Sequence, residues 1–337
     1  MRILFSGHHN PHFLTITEYL ERAIQALGHK LFTFEDRQHI LPGRIRKRLP
    51  FLDRYDLNVI NKRMCLLADA LRPELAIVTG GHRILPETVK YLKSLGIVCT
   101  LWTVDPPRCF QPIIDAAPAY DHIFCQGTEA IELLDNIGIK CARWLPMACD
   151  PEFHHPVSCT DEGKKFYGSD VVFVGSYYPE RAALFEGLTH LDLAVWGPGW
   201  DALPPNSSLK NHLRGRHTRP EEWLKIYSAS KIILSTHYHD PHKRFPVYQA
   251  SPRVFEILAC GAFQICDDQR DVFTLFQNGR DLVRFTDAPA LVDKVEYYLS
   301  HPQERREIAE RGRQTVLAHH TYRDRILTLI REITLSI

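Results

Sequence analysis

Short apolar segments without polar alternation recur along this chain, and amphipathic segments separate them. RILFSG at 2–7, ELAIVTGG at 74–81 and DVVFVG at 170–175 are segments of the first kind. Residues 15–27 repeat apolar side chains at the spacing of a helix. Strands without alternation are buried on both faces, and helices between them connect neighbouring strands in parallel. The pattern therefore predicts α/β structure with doubly wound parallel sheets.

A polar segment interrupts this alternation in the middle of the chain. Residues 150–168 contain PEFHHPVSCTDEGKK and show no clear periodicity, which is typical of a linker. The alternation then restarts, and a length of 337 residues agrees with about two domains. We therefore predict an N-terminal domain over 1–160, a C-terminal domain over 161–320 and a closing amphipathic helix within 321–337.

Charge and cysteine content exclude several classes of protein. The chain has 41 Lys and Arg against 40 Asp and Glu, a balance that does not suggest a nucleic-acid partner. No window approaches 18 uninterrupted apolar residues, and MRILFSG leads directly into a strand, so we expect neither a membrane span nor a signal peptide. Nine cysteines without a C-x-x-C pair favour reduced, buried thiols and a cytoplasmic protein.

Parallel sheets indicate where functional residues lie. In open sheets of this kind, ligands bind beside the carboxyl ends of the strands, in the loops that lead into helices. In the first half of the chain, these loops carry Gly7, His8, His82 and Asp105. In the second half, they include Gly175 to Arg181, Gly197 to Trp200, His237 to Arg253 and Asp267-Asp268.

The strongest single signal is SPRVFEILACGAFQICDD at 251–268. Ser251 suits the N-cap of a helix and Pro252 its first position. Amides at such a helix start form an anion site, and a bound anion would reverse the unfavourable interaction of Arg253 with the helix dipole. Glu256 is placed to accept hydrogen bonds from both hydroxyls of a ribose. The alternative is a surface ion pair between Arg253 and Glu256 at (i, i+3) spacing.

A second loop repeats this arrangement. The strand over 170–175 ends at Gly175, Pro179 begins a helix, and Arg181 stands in the first turn. A glycine lets a ligand approach the backbone, and an arginine can bind a diphosphate through two N–H groups. The alternative is that Arg181 pairs only with Glu180 or with solvent, and a second cation in an equivalent loop makes this alternative weaker.

The stretch from Val172 to Arg325 resembles the CgeB-like (spore maturation protein) branch of glycosyltransferases with the GT-B fold. The resemblance rests on FVGSYYPERAALFEGL, VWGPGW, IYSASKIILST, SPRVFEILACGAF and VEYYLSHPQERREIAERGRQTVLAHHTYRDRI. In the first half, LWTVDPP and WLPMACDPEFHHP are similar to that family more weakly. The resemblance implies two Rossmann-like domains that face each other across a cleft. It also implies an acceptor on the first domain, a nucleotide-sugar on the second and a C-terminal helix that crosses back to the first.

The resemblance also implies roles for single residues in donor binding. Glu256 stands where related enzymes carry the carboxylate that binds the donor's ribose. Arg181 stands where they carry a cation on the donor diphosphate, and the backbone near His217 is expected to meet the base. The amides of Ser251 to Arg253, with Gly175, would approach the same diphosphate, and Gly7 and His8 are assigned to the donor as well.

One position departs from the family pattern. Many retaining relatives carry a glutamate eight positions before the ribose-binding one, and Tyr248 stands there in this sequence. The stereochemical outcome of the reaction therefore stays open.

The resemblance further implies a base on the first domain that deprotonates the acceptor hydroxyl. Asp105 is the first choice because it ends a buried strand and Pro106-Pro107 turn the chain away from it. The alternative is an aspartate that caps a turn before proline. His82 is the second choice, or a group that contacts the acceptor, and His8 has a similar position after a glycine.

Two further motifs are interpreted as loops, without a metal site or a membrane-binding site. HYHDPH at 237–242 invites a zinc site, but a catalytic zinc needs a third ligand and supporting groups, so a donor-binding loop is favoured. GRIRKR at 43–48 favours a solvated loop, and contact with an anionic membrane surface stays open.

Together with these features, the resemblance implies a hexosyltransferase-like enzyme that needs no metal and no cofactor. Its donor would be a nucleotide-diphosphate sugar, with UDP favoured, and its acceptor a hydroxyl group of a glycan, protein or small molecule. Two alternatives stay open. The first is a sugar-nucleotide epimerase or hydrolase on the same fold, and the second is a noncatalytic spore-coat or assembly protein.

Overall fold

A computed structural model describes residues 1–39, 43–46, 48–104, 111–216, 219–239 and 245–335. The described chain divides into two compact units. The first unit contains residues 1–146, 245–247 and the chain from Tyr322 onward, and the second contains 147–239 and 248–321. Residues 147–160 are therefore part of the second unit, and residues 150–160 among them belong to the polar interruption of the sequence.

The first unit is built on a parallel six-stranded sheet. Its strands are β1 (Arg2–Gly7), β2 (Lys30–Glu35), β3 (Leu75–Thr79), β4 (Val98–Thr103), β5 (His122–Cys125) and β6 (Ala142–Trp144). They lie side by side in the order β2-β1-β3-β4-β5-β6, and every neighbouring pair is parallel. The strand order reverses between β1 and β3, which marks the edge where ligands bind in such sheets.

Helices connect these strands. They are α1 (Ile16–Ala26), α2 (Gly43–Arg46), α3 (Pro50–Leu71), α4 (Pro86–Ser94), α5 (Gln111–Ala116) and α6 (Thr128–Asn136). Helix α1 begins with a capping box, in which Thr15 accepts from the backbone of the first turn and Glu18 accepts from the backbone N–H of Thr15. The last helix of the chain, α14 (Tyr322–Thr334), also belongs to this unit and packs on α1, with the rings of Tyr19 and Tyr322 stacked at 5.9 Å.

The second unit contains another parallel sheet of six strands. They are β7 (Val171–Val174), β8 (Leu193–Trp196), β9 (Leu213–Gly215), β10 (Ile232–Ser235), β11 (Gln264–Asp267) and β12 (Val283–Phe285). Their order is β12-β11-β10-β7-β8-β9, which is the strand order of a dinucleotide-binding Rossmann domain. Here the order reverses between β7 and β10.

Seven helices cover this sheet in the part of the chain that the structure describes. They are α7 (Asp161–Tyr167), α8 (Pro179–Glu186), α9 (Pro220–Ala229), α10 (Pro252–Ala259), α11 (Arg270–Leu275), α12 (Ala288–Ser300) and α13 (Pro302–His319). Strand β7 shows that both faces are covered, because Val171 and Phe173 enter one apolar cluster and Val172 and Val174 enter another. The predicted doubly wound α/β architecture is therefore confirmed for both halves. No helix of the described residues is long and apolar enough to cross a membrane.

The start of α13 differs from the pattern in its sequence. Ser300 and Gln303 have the spacing of a capping box, but α13 begins at Pro302 and His301 occupies the N-cap without a side-chain hydrogen bond. The Ser300 hydroxyl donates instead to the carbonyls of Glu296 and Tyr297 in the preceding helix. The serine is the last residue of α12, so the spacing in the sequence does not correspond to a capping box.

Candidate functional site

The carboxyl ends of β7 and β10 form the centre of the candidate site in the second unit. These two strands are neighbours, and the chain leaves them into α8 and α10. Four of the predicted donor residues follow β7 or begin these helices: Gly175, Arg181, Ser251 and Arg253. Their side chains and backbone therefore lie at the edge of the sheet where ligands bind in this fold class.

Arg181 bridges the two strand ends. Its Nε and one Nη donate to the hydroxyl and carbonyl oxygens of Thr236, at 2.8 and 2.7 Å, and its other Nη donates to the carbonyl of Ser176 at 2.8 Å. The guanidinium also lies 4.7 Å from the ring centre of Tyr178. Burial, together with the nearby charge of Arg253, lowers the pKa of Arg181 to about 10, so the group stays a cation at neutral pH. Arg181 is held by the protein, and its guanidinium is not limited to contacts with Glu180 or solvent.

Arg253 and Glu256 do not form a surface ion pair. The Arg253 guanidinium turns back to the sheet, where it donates to the carbonyl of Val174 and lies 5.5 Å from the ring centre of Trp223. A Cβ atom added to Gly175 would lie 2.7 Å from Cζ of Phe173 and 2.8 Å from Nη1 of Arg253, so both side chains pack closely on this glycine. Glu256 is only 7% exposed. The alternative of an exposed (i, i+3) pair is therefore wrong.

The Glu256 carboxylate is buried with few protein partners. Nε2 of His154 lies 3.9 Å from Oε1 of this carboxylate. Nδ1 of His154 accepts from the backbone N–H of Asp150, so Nε2 carries the proton and faces the carboxylate. Within the described ranges, no hydrogen bond reaches the side-chain oxygens of Glu256. Burial raises its pKa, and the charge of Arg253 opposes that rise. A buried carboxylate with unused acceptor sites can bind hydroxyl groups.

The N-terminus of α10 is capped from within the protein. Ser251 Oγ accepts from the N–H of Arg253 at 3.3 Å, and the Ser251 carbonyl accepts from the N–H of Val254 at 3.0 Å. The N–H of Ser251 donates to Nε2 of His237 at 3.0 Å. Pro252 has no N–H. The amides that the sequence assigns to a diphosphate are therefore engaged by protein acceptors, and a ligand here has to be held largely by side chains.

Asp267, at the end of β11, contacts two histidines that follow β10. Its Oδ1 accepts from Nδ1 of His237 at 2.6 Å, and its Oδ2 accepts from the backbone N–H of His237 at 2.8 Å. Nε2 of His239 lies 3.3 Å from the same Oδ2. Burial by itself raises the pKa of Asp267, but the contacts with both histidines outweigh it and hold that pKa well below its usual range. The carboxylate is therefore charged at neutral pH.

A metal would not fit this cluster as it stands. Ligand atoms of His237, Cys266 and Asp267 lie within 4.8 Å of one another. Both ring nitrogens of His237 are already engaged, one by Asp267 and the other by the N–H of Ser251. A metal-bound imidazole would have to give up one of these hydrogen bonds. The third histidine of the HYHDPH motif, His242, lies outside the described residues.

In the first unit, the loop after β1 is tied to the end of β2. Gly7 is packed against Thr17, since an added Cβ would lie 2.8 Å from its Oγ1. Nδ1 of His8 lies 3.0 Å from Oε1 of Glu35, and the backbone N–H of His9 donates to Oε2 at 2.6 Å. Burial raises the pKa of Glu35, but these hydrogen bonds outweigh it and lower that pKa. His8 therefore has a charged carboxylate beside it, as a proton-accepting imidazole would require.

His82 follows β3 and lines a cavity of about 730 Å³ in the first unit. Asn61 of α3 holds the loop after His82, because its amide donates to the carbonyls of Leu57 and Arg83 and its oxygen accepts from the N–H of Leu85. The remaining walls come from α3, α4 and α5. Cavities of this size hold small organic ligands.

Asp36 follows β2 and is 6% exposed, with its Oδ1 buried and unpaired among the described residues. Burial raises its pKa from 3.8 to about 6, against the opposing charges of Arg37 and Arg83. Because the folded pKa exceeds the unfolded one, its stabilising contribution is complete below about pH 4 and is lost as the pH rises through 6. We expect Asp36→Asn to raise the free energy of unfolding by about 1–3 kcal/mol at pH 7.5 and by little near pH 4.5.

Urea denaturation at both pH values measures this effect. Asp135→Asn is the control, because Asp135 is half exposed and pairs with Lys140 on the surface of the same unit. A gain for Asp36→Asn that is equal at pH 4.5 and 7.5 would contradict the assignment of a raised pKa.

The remaining predicted residues are placed as follows. Asp105, the predicted general base of catalysis, lies outside the described residues. So does His217, which is predicted to lie near the nucleobase of the donor. Tyr248 lies in the second unit with the guanidinium of Arg270 3.7 Å from its ring centre. Gly7, His8 and His82 belong to the first unit, whereas Gly175, Arg181, Ser251, Arg253 and Glu256 belong to the second.

Sequence reasoning placed His237, His239 and Asp267 in loops at the ligand edge of the sheet, but it did not predict that they contact one another. One signal was available, because His237 and His239 follow β10, Asp267 ends β11, and ends of neighbouring parallel strands lie together. The adjacency of these strands could not be read from their order along the chain.

Comparisons with known proteins agree with this architecture. Residues 181–331 match a family model described as glycosyl transferase-like. The spore protein CgeB of Bacillus subtilis (strain 168) is 22% identical over 252 residues, which cover 72% of this chain and 77% of CgeB. Sucrose-phosphate synthase from Thermosynechococcus elongatus is similar along all of both chains, with a TM-score of 0.71 at 14% identity. HepE of Anabaena, solved with UDP-glucose, has a TM-score of 0.66 at 10% identity over 99% of each chain.

Proposed function

We propose that this protein is a glycosyltransferase that uses a nucleotide-diphosphate sugar. The GT-B fold and the resemblance to CgeB, both as predicted, support this proposal, together with the glycosyl transferase-like region over residues 181–331. The observation that carries the proposal is the buried Glu256 carboxylate, whose side-chain oxygens receive no hydrogen bond within the described ranges. A ribose offers two neighbouring hydroxyls, which would satisfy such an acceptor.

The leaving diphosphate needs positive charge beside it as the glycosidic bond breaks. We assign this role to Arg181, which stays a cation and is fixed by Thr236 and Ser176. Arg253 supports the same region with its charge while its guanidinium packs on Val174 and Trp223. Cationic side chains of this kind support a reaction without a metal, which is part of the proposal.

The reaction forms a bond between the acceptor oxygen and the anomeric carbon and breaks the bond from that carbon to the diphosphate oxygen. The hydroxyl proton passes to a base, and the nucleoside diphosphate leaves with the bond's electron pair. Asp105 stays our first choice for this base. Of the described residues, His8 has the best support, because Glu35 would stabilise its protonated ring. The cavity beside His82 is our candidate for the acceptor.

UDP is the proposed nucleotide, with a hexose as the transferred sugar. The support is that HepE, of similar fold, was solved with UDP-glucose. A nonenzymatic assembly role is the competing proposal, supported by the resemblance to a spore protein. An epimerase or a hydrolase on the same fold would differ in the fate of the sugar.

A thermal-shift panel of UDP, GDP, ADP, CMP and dTDP, each with EDTA, tests the donor site. A ligand at about a hundredfold excess over its Kd stabilises the native state by about 2.7 kcal/mol. We expect UDP to raise the thermal midpoint and Arg181→Gln to weaken UDP binding about tenfold or more, because a charged contact to the diphosphate is lost. Arg214→Gln is the control, since Arg214 pairs with Asp192 on the surface of the same unit.

Turnover separates the competing roles. Release of UDP from UDP-glucose that increases on addition of an acceptor supports transfer, and release without an acceptor requirement supports hydrolysis. Nucleotide binding without turnover, unchanged by Asp105→Asn, supports the assembly role. No shift with any of the nucleotides in a folded sample would overturn the donor-site assignment.

A further inference from the structure

We propose that Asp267 organises two histidines for donor binding. His239 contacts the donor diphosphate, and His237 is a positioning residue that sets the start of α10. This inference rests on the proposed function. It assigns to the donor site three side chains that the sequence did not group, two of which follow β10 and one of which ends β11.

His237 connects three elements and is electrically neutral. It is 6% exposed, and it follows β10. Its Nδ1 donates to Asp267 at 2.6 Å, while its Nε2 accepts from the N–H of Ser251 at 3.0 Å. A nitrogen that accepts a hydrogen bond carries no proton, so this ring is the neutral Nδ1–H tautomer. The imidazole therefore links the end of β10, the end of β11 and the N-cap of α10.

This link places the groups that a nucleotide would meet. Ser251 caps the helix that carries Glu256 one turn further on. The bond to His237 engages the backbone N–H of Ser251, the residue directly ahead of Pro252. Loss of that bond frees the N-cap of α10 to move relative to β10. Glu256, which α10 carries, can bind a ribose only when this helix is held in place.

His239 has the chemistry and the exposure of a phosphate ligand. The side chain is 56% exposed, and its Nε2 faces Asp267 at 3.3 Å, which leaves Nδ1 for a ligand. The hydrogen bond that His239 donates to Asp267 raises the pKa of His239. Burial and the charge of Arg181 oppose this rise, and the charge of Glu180 adds to it. An imidazolium beside Arg181 would donate a charge-assisted hydrogen bond to a diphosphate oxygen.

The occupied amides make such a side chain necessary. The N–H groups from Ser251 to Val254 are engaged by protein acceptors or replaced by proline. Arg181 donates three hydrogen bonds to Thr236 and Ser176. A diphosphate carries more acceptor oxygens than the remaining N–H groups of Arg181 can satisfy, and His239 is an exposed hydrogen-bonding neighbour.

Calorimetric titration with UDP and UMP tests the two roles separately. We expect His239→Gln to weaken UDP about tenfold and UMP at most about twofold, because only UDP presents the second phosphate. We expect His237→Asn, which can still donate to Asp267 but cannot reach Ser251, to weaken UDP and UMP by the same factor of about ten. Both are measured well below the thermal midpoint of each variant, so that a purely structural loss of stability leaves the affinities unchanged.

His190→Gln is the matched control, because His190 is an exposed histidine of the same unit that pairs with Glu296 at 2.9 Å. Wild-type protein that binds UDP as tightly as His239→Gln and His237→Asn do would overturn this inference and leave the proposed function intact. Wild-type protein that binds no nucleotide would instead overturn the proposed function. Stoichiometric zinc that EDTA removes and that His237→Asn abolishes would replace the positioning role with a metal site.

Discussion

Glu256→Ala is expected to weaken UDP binding about 100-fold or more. The carboxylate is buried at the second turn of α10, and two ribose hydroxyls would donate to it. Hydrogen bonds to a charged group contribute about 1.5–3 kcal/mol each, so the loss of two corresponds to roughly 10²–10⁴ in affinity. Glu256→Gln keeps the shape and one acceptor oxygen, and we expect an intermediate loss of about tenfold.

A comparison of UDP with its 2′-deoxy analogue tests the role of Glu256 more directly than the loss of affinity does. Wild-type protein should bind UDP about tenfold or more tightly than 2′-deoxy-UDP, because one of the two hydroxyls is missing from the analogue. In Glu256→Ala this preference should disappear. Glu180→Gln is the matched control, since Glu180 is an exposed glutamate in the first turn of α8 and should leave the preference unchanged. An undiminished preference for UDP in Glu256→Ala would show that another group reads the ribose.

Gly197→Ala is expected to destabilise the second unit strongly. This glycine follows β8 with φ of +134°, and an added Cβ would overlap the carbonyl oxygen of Gly175 and lie 2.6 Å from its carbonyl carbon. Backbone strain costs about 1–3 kcal/mol and overpacking about 1–3 kcal/mol more. Neither backbone can retreat without breaking the hydrogen bonds that join Gly175 to Trp196 and Gly197 to Gly215.

Thermal denaturation measures this loss, and we expect the midpoint to fall by about 10 °C or more. Gly279→Ala is the control in the same unit. Gly279 has a similar need for positive φ, at +75°, but nothing lies within 4 Å of an added Cβ. Gly279→Ala measures the cost of a positive φ without any overlap of the new Cβ atom. We expect it to lower the free energy of unfolding by about 1 kcal/mol. Equal midpoints for the two variants would mean that the loop after β8 can shift away from Gly175.

Features encoded within a few residues were predicted well. The capping of α10 by Ser251 follows from the side chain and the proline after it. Strand β7 was recognised because each of its residues is apolar and both faces of the sheet are covered. Where two local signals compete, this kind of inference fails. Ser300 has the spacing of a cap for α13, but it ends α12 and donates to that helix instead.

The side-chain directions at the site were beyond such inference. The (i, i+3) spacing of Arg253 and Glu256 permits an ion pair on a helix surface. The structure buries Glu256 and turns Arg253 to the carbonyl of Val174, because the first turn of α10 lies beside β7. Only the packing of that helix on the sheet decides between the two arrangements.

The sequence by itself determined the α/β class, the presence of two parallel sheets and the loops in which ligands are expected, since apolar periodicity and helix caps act over a few neighbouring residues. The tertiary structure decided which loops share one site. His237 meets Asp267 because β10 and β11 are adjacent, and it meets Ser251 because α10 begins beside them. Strand order sets these meetings, and strand order depends on how whole helices and strands bury their apolar surface together.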